Sequence, residues 1–345
     1  MVTAGGRPLG PATDGVAGPV RGKGTRGRLD SGAGQAPAGV AVPALAPLPR
    51  RSVGSRRRAE AALAYLLLAP LLAWIGLTIV YPLVDAAVTS LLDVGIAGTG
   101  GEWVGLRNYA RTLASPSFWA AVGRSGVWAI GNALLQTVAA LATALVLHRR
   151  IPGIAFFRTW SILSWIVPTV VVVIIWRWML AGSVGVVNYV LQGLHLVREP
   201  VSFFGAPWAA MATTMAINAW RWFPFLAVVI LAGLQTIPRE VIEAASVDGA
   251  NRAQALVRVV LPMLQPVLFV VGLVGTLWSL NVFDVIWLFT KGGPSDGTTT
   301  LPIYIYQAAF TRFSFGEAAA ASVLMALLLL AFGMAYLRFV PSSYE

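Results

Sequence analysis

Long apolar stretches dominate the chain from residue 61 onward, in blocks of the length a bilayer requires. A helix crossing the hydrocarbon needs about 20 mostly apolar residues. Six stretches meet that length, at 61–84, 119–147, 154–180, 208–234, 267–289 and 318–340. The first extends toward Leu92 if the isolated charge of Asp85 is tolerated. Three contain proline (Pro70, Pro168, Pro224), which a bilayer accepts where neighbours satisfy the freed carbonyls. Period-two alternation is missing, which argues against an outer-membrane barrel. The pattern predicts an all-α integral membrane protein, with six transmembrane helices spread over residues 59–345.

Composition agrees. The chain is 57% hydrophobic and 11% charged, whereas soluble domains carry about 25% charged residues. With no cysteine, a disulfide scaffold, thiol chemistry and Cys-ligated zinc are excluded. The two histidines, His148 and His195, lie far apart, so no metal site is expected. His148 stands beside Arg149 and Arg150 and reads as a solvated interface residue. The net charge of +11 belongs mainly to the tail: residues 1–58 hold ten Lys/Arg against Asp14 and Asp30. A basic face with interleaved aromatics is missing, so no nucleic-acid partner is expected. Residues 1–58 also contain 12 Gly and 7 Pro, the composition of a disordered basic tail. No apolar run precedes Ala61, so the tail is not a secretory signal. Its cluster Arg50, Arg51, Arg56, Arg57 and Arg58 reads as a topology anchor against anionic lipid heads, or as a regulatory docking tail. Four tryptophans near span ends (Trp119, Trp178, Trp208, Trp287) fit an aromatic belt.

With the N-terminus inside, seventeen Lys/Arg fall on the inner side and five on the outer. The positive-inside rule therefore predicts a multi-pass cell (inner or plasma) membrane protein with both termini cytoplasmic. The segment 235–262, between the fourth and fifth spans, then faces the cytoplasm.

That segment reads QTIPREVIEAASVDGANRAQALVRVVLP and predicts two short helices. Pro238 suits a first helical position. Gly249, after Asp248, takes positive φ and ends the first helix. Asn251 caps the second, with Gln254 three residues on in capping-box spacing, and Pro262 ends it. Val241, Ala244 and Ala245 make a small apolar patch ringed by Glu240, Glu243 and Asp248. So short a helix is unstable alone and is ordered by docking.

Glu243-Ala244-Ala245, then Gly249, then Val259, Leu261 and Pro262 resemble the EAA loop of permease subunits in binding-protein-dependent ABC importers. The family usually has Ile at the place of Val259. Phe283-Asp284-x-Ile286, Gly292-Gly293-Pro294, Tyr304-Ile305-Tyr306 and Phe315-Gly316 are similar to the carbohydrate permeases of the maltose and glycerol-phosphate type. The resemblance covers about 61–340 and leaves out the tail.

The resemblance implies a cytoplasmic coupling helix lodged in a groove of an ATPase subunit. Glu243 would contact a basic residue there, Ala244 and Ala245 would allow close packing, and Gly249 would set the turn. The implied partners are a second homologous permease subunit, two ATPase subunits, an extracytoplasmic solute-binding protein and the lipid bilayer. ATP and Mg would belong to the partner ATPase, with no cofactor in this chain. No P-loop occurs, since Gly22-Lys23-Gly24 lacks the first glycine and the final hydroxyl. The chain is therefore not expected to be an enzyme.

Polar groups inside spans are costly and mark pathways or paired interiors. Arg221 and Asn281 each lie about 20 Å from the inner ends of their predicted spans. Asn218 stands three residues before Arg221, and Asp284 three after Asn281. With Trp220 and Trp222 these four make a candidate hydroxyl-binding pathway. The competing reading is a structural Arg221–Asp284 pair with interhelical amide bonds. Sugar, disaccharide, polyol and glycerol-phosphate compounds all remain open as substrates. An ion-coupled secondary transporter and a structural membrane scaffold are the alternative readings, although no inverted repeat supports the former.

Overall fold

In the computed structural model the described residues are 53–95, 100–149 and 152–338. Most of the predicted tail lies outside the described residues, and helix α1 (Val53–Ile75) already begins within its last six positions.

Among the described residues, five helices are long and apolar enough to cross a membrane, or six if one bent pair counts as a span. The first is Glu60–Thr89. Within it one π-turn, Gly76–Val80, precedes α2 (Tyr81–Thr89). It stops short of Leu92, because Leu92 opens a small antiparallel hairpin, β1 (Leu92–Val94) with β2 (Gly101–Trp103). Helix α3 (Arg107–Ala114) follows, then α4 (Pro116–Leu147), α8 (Pro207–Gln235) and α14 (Phe315–Leu337).

Two predicted spans need correction. The stretch 154–180 is α5 (Ile154–Ile166) and α6 (Thr169–Met179), bent by 95°. Val167 precedes Pro168 and takes ψ 130°, since the proline ring excludes helical backbone at the residue before it. The stretch 267–289 is also two pieces. The crossing helix runs over Arg252–Leu280, and α12 (Asp284–Thr290) starts after a break at 281–283. Pro262 therefore does not end a helix. The chain runs through α10 (Arg252–Ala255), a π-turn at Leu256–Val260, and α11 (Leu261–Leu280). The Leu261 amide donates five residues back to Leu256, and this widened turn accommodates a proline with no N–H to donate. Two short helices, α7 (Val186–Gly193) and α13 (Leu301–Phe310), sit outside the predicted spans.

The core lies where α4, α8 and α11 meet. Ala140, Ala144, Leu226, Ile230, Leu264 and Val271 are buried together there. Small residues let the backbones approach. A Cβ on Gly233 would stand 2.9 Å from Val267 Cγ2, so α8 and α11 could not keep their spacing around a larger residue. Three of the belt tryptophans, Trp119, Trp178 and Trp208, are exposed as expected. Trp287 is not: it packs against Phe283 and Tyr306, at 5.7 and 4.4 Å between ring centres.

Candidate functional site

The segment 235–262 folds from local rules. Helix α9 spans Arg239–Val247, with Pro238 one place earlier than predicted, at the cap. At its end the Ala250 amide donates to Ala245 O at 2.9 Å and the Gly249 amide to Ser246 O at 3.2 Å. This is the paired closure of a Schellman turn, which requires the left-handed φ of +86° found at Gly249. The capping box forms as predicted. Asn251 Oδ1 accepts from the Gln254 amide at 2.9 Å, and Gln254 Oε1 accepts from the Asn251 amide at 2.8 Å.

Ile242, not the alanine patch, packs α9 onto the core, where it joins Ile237, Val260, Leu147 and Ile154. Glu243, Ala244, Asp248 and Gly249 are exposed, and Ala245 is half-buried. Neither Glu240 nor Glu243 has an ion-pair partner among the described residues. Val247 is 88% exposed. Leu261 is half-buried and Pro262 exposed, on the rod that continues into α11. An apolar and acidic face thus stands clear of the bundle, on a base that is rigidly tied to it.

The four intramembrane polar residues do not form one cluster. Arg221 Nη1 lies 3.7 Å from Asp284 Oδ2, and its guanidinium carbon sits 5.4 Å from the Trp222 ring. Asp284 Oδ2 also accepts from Thr169 Oγ1 at 2.7 Å. Asn281 is the C-cap of α11, and its Nδ2 donates to Leu277 O of the same helix. The break after Asn281 removes the helical i, i+3 relation to Asp284 assumed from the sequence. Asn281 also lies at the end of a crossing helix rather than midway along one.

Asn218 turns to α4 instead. Its Nδ2 donates to Asn132 Oδ1 at 2.7 Å, and the same oxygen accepts from Gln136 Nε2 at 3.2 Å. Trp128 Nε1 donates to Ser279 O at 2.9 Å beside them. Asn218 Oδ1 is buried without a partner among the described residues. Asn218 borders a cavity of about 40 Å³ whose other walls include Gln136, Trp222, Gly275, Trp278 and Ser279. Asn132 and Gln136 were missed in the sequence. Two amides four residues apart inside an apolar span carry the same signal that singled out Asn218.

Trp160, Ser164, Val167, Trp220 and Phe223 line an open cleft of about 410 Å³ at the elbow between α5 and α6. Its hydroxyl and indole groups suit hydrogen bonding and ring stacking of a polar solute, while Arg221 and Asp284 pair with each other and with Thr169 just past the same elbow. No group of three or more His, Asp or Glu arranged to hold a metal ion occurs among the described residues.

Residues 136–342 match the family described as binding-protein-dependent transport system inner membrane component. A trehalose/maltose transport system permease protein of Thermococcus litoralis is 33% identical over 279 residues, covering 81% of this chain and 94% of that one. A sulfoquinovosyl glycerol transport system permease protein of Agrobacterium fabrum is 34% identical, covering 81% and 91%. The crystal structure of a bacterial ABC transporter that imports the acidic polysaccharide alginate contains a chain of similar fold. Its TM-score is 0.72 at 22% identity, over 84% of this chain and 99% of that one.

Proposed function

The chain belongs to the binding-protein-dependent transport system inner membrane components, and from that footing we propose that it is the permease subunit of an ATP-driven carbohydrate importer. The solute is a sugar or a related polyol or glycerol-phosphate compound, delivered by an extracytoplasmic binding protein. The membrane-spanning part pairs with a second permease, and two ATPase subunits bind ATP and Mg on the cytoplasmic side. Both termini and the segment 235–262 face the cytoplasm. The curated relatives, with names for trehalose, maltose and sulfoquinovosyl glycerol transport, support the substrate class.

One observation carries the mechanism: the exposed face of α9 is joined by the short turn 248–251 to a spanning rod. Ile242 anchors α9 to the core, while Glu243 and Ala244 remain open. The helix Arg252–Leu280 then runs 29 residues from the coupling segment to Asn281, a length of about 43 Å. A push on α9 by a closing ATPase pair therefore arrives as a displacement at the α11–α12 junction, next to Asp284. Glu243 pairs with a basic ATPase residue. Ala244 and Ala245 admit close contact, Asp248 and Gly249 shape the elbow, and Leu261 and Pro262 begin the lever's membrane half. Asn218, Arg221, Asn281 and Asp284 lie along the path the solute takes.

The test is co-purification. ATPase subunits are expected to follow the native chain through detergent and to be lost from Glu243→Arg. ATPase-free transport driven by an ion gradient in liposomes of this chain alone overturns the reading in favour of a secondary transporter. Orientation is tested separately. The chain has no cysteine, so one introduced at Val247 is expected to react with an impermeant maleimide only from the cytoplasmic side.

A further inference from the structure

Where α4 ends and α5 begins, an apolar groove of about 580 Å³ opens on the bundle surface, lined by Val146, Leu147, Ile154, Phe157 and Trp160. Phe157 and Trp160 leave most of their surface open. Ser161, the hydroxyl bordering the groove beside Trp160, donates to Arg158 O.

Basic residues adjoin the lining at its Leu147 end, here called the mouth of the groove. His148 and Arg149 follow α4 directly and are exposed. Arg158 Nη2 donates to Leu147 O at 2.9 Å, while its Nε is buried without a partner among the described residues. From Trp103 to Arg198 the sequence contains no acidic residue. Helix α5 starts after Gly153 with no side-chain cap and no acid in its first turn, so its leading amides add positive potential. Leu147 and Ile154 share a buried cluster with Ile237, Ile242 and Val260 of the coupling segment. The basic mouth and the coupling segment therefore lie at the same end of the bundle. Trp160 sits six residues further along α5, about 9 Å deeper.

We propose that this groove holds one acyl chain of an anionic phospholipid of the inner leaflet, with the headgroup held by His148, Arg149 and Arg158. The choice of leaflet rests on the cytoplasmic placement of 235–262. A zwitterionic lipid fills the groove equally well but gains nothing from the mouth. Each arginine near a headgroup favours the anionic lipid about fivefold. The lipid then abuts the hydrophobic base of α9.

The test is native mass spectrometry of the full chain in detergent, offered equal phosphatidylglycerol and phosphatidylcholine with identical acyl chains. Phosphatidylglycerol adducts are expected to prevail. Arg149→Gln, at an exposed position, is expected to lower the preference about fivefold. Ala142 also lines the groove, and Ala142→Trp, which fills it, is expected to lower retention of both lipids. Equal occupancy by the two lipids overturns the proposal. So does a preference unchanged in the His148→Gln, Arg149→Gln double variant, or loss of the adduct when the second permease joins. The detergent measurement does not depend on orientation, so an inverted chain in the maleimide experiment fails the topology and leaves the lipid preference separately measured.

Discussion

Arg221 and Asp284 stand 3.7 Å apart across the junction of α8 and α12, and they share that junction with the Thr169 hydroxyl from α6. Half of the Asp284 side chain is open to its surroundings, whereas Arg221 is largely covered. Exposed ion pairs contribute roughly 0–1 kcal/mol, whereas stranding the covered member of a buried pair costs about 3–5 kcal/mol. Asp284→Asn, which leaves the covered Arg221 without its counter-charge, is expected to lower thermal stability in detergent by about 1–3 kcal/mol, between those limits. Arg221→Ala and Asn281→Ala are expected to reduce transport in reconstituted complexes and to weaken the response to ligand. Unchanged transport and affinity in both variants would remove these residues from the pathway and leave a structural pair.

Asn132 Oδ1 accepts two hydrogen bonds, from Asn218 and Gln136, in the buried contact of α4 with α8. Asn132→Leu strands both donors. Interhelical polar pairs in membranes contribute about 0.6–1.7 kcal/mol, and a stranded buried donor costs about 1–3 kcal/mol. The expected loss is about 1–3 kcal/mol, read by denaturant or thermal unfolding. A double-mutant cycle of Asn132 with Asn218 should return a coupling above about 0.5 kcal/mol. Additive single losses would show that the two amides do not act as a pair.

Glu243 is exposed and unpaired among the described residues, while its neighbour Ile242 is packed into the core. The two positions should therefore fail differently. Glu243→Gln is expected to preserve the thermal midpoint and weaken ATPase association, by about 2–5 kcal/mol if the charge is buried in the complex. Ile242→Ala is expected to destabilise the segment itself, visible as faster proteolysis of 235–262. Equal effects on both readouts would refute this division of labour.

Gly249 has φ +86° and open space where a Cβ would be built. Any penalty for a side chain there is therefore backbone strain and not collision. Gly249→Val is expected to cost about 1–2 kcal/mol locally, and Gly249→Asn less, because asparagine tolerates the left-handed region. Ligand-stimulated ATP hydrolysis by the assembled complex should fall in the same order, Gly above Asn above Val. A valine variant with native stimulation would show that the elbow's shape carries no signal.

The local features of this chain were open to reading because their causes lie within a few residues. The Asn251–Gln254 box and the Gly249 stop depend on three- and four-residue spacings, and both formed. Pro262 misled for an equally local reason: a proline ends an ordinary helical turn, but the π-turn before it supplied a way through. Breaks at Val167 and at 281–283 went unseen because Pro168 reads as a proline tolerated inside one long span, and Asn281 and Asp284 read as polar groups on one face of a continuous helix.

By itself, then, the sequence determined that the chain lives in a bilayer, how many long apolar segments it has, and where its capped acidic elbow lies. Hydrophobicity summed over about 20 residues and hydrogen bonds between near neighbours suffice for that. Tertiary structure alone decided which polar residues meet. Thr169 and Asp284 are 115 positions apart, and Asn132 and Asn218 are 86. Their pairing follows from how α4, α6, α8 and α12 pack and bend. Of four polar residues that looked like one cluster, only Arg221 and Asp284 touch. A side chain buried in hydrocarbon takes whichever partner the packing brings within reach.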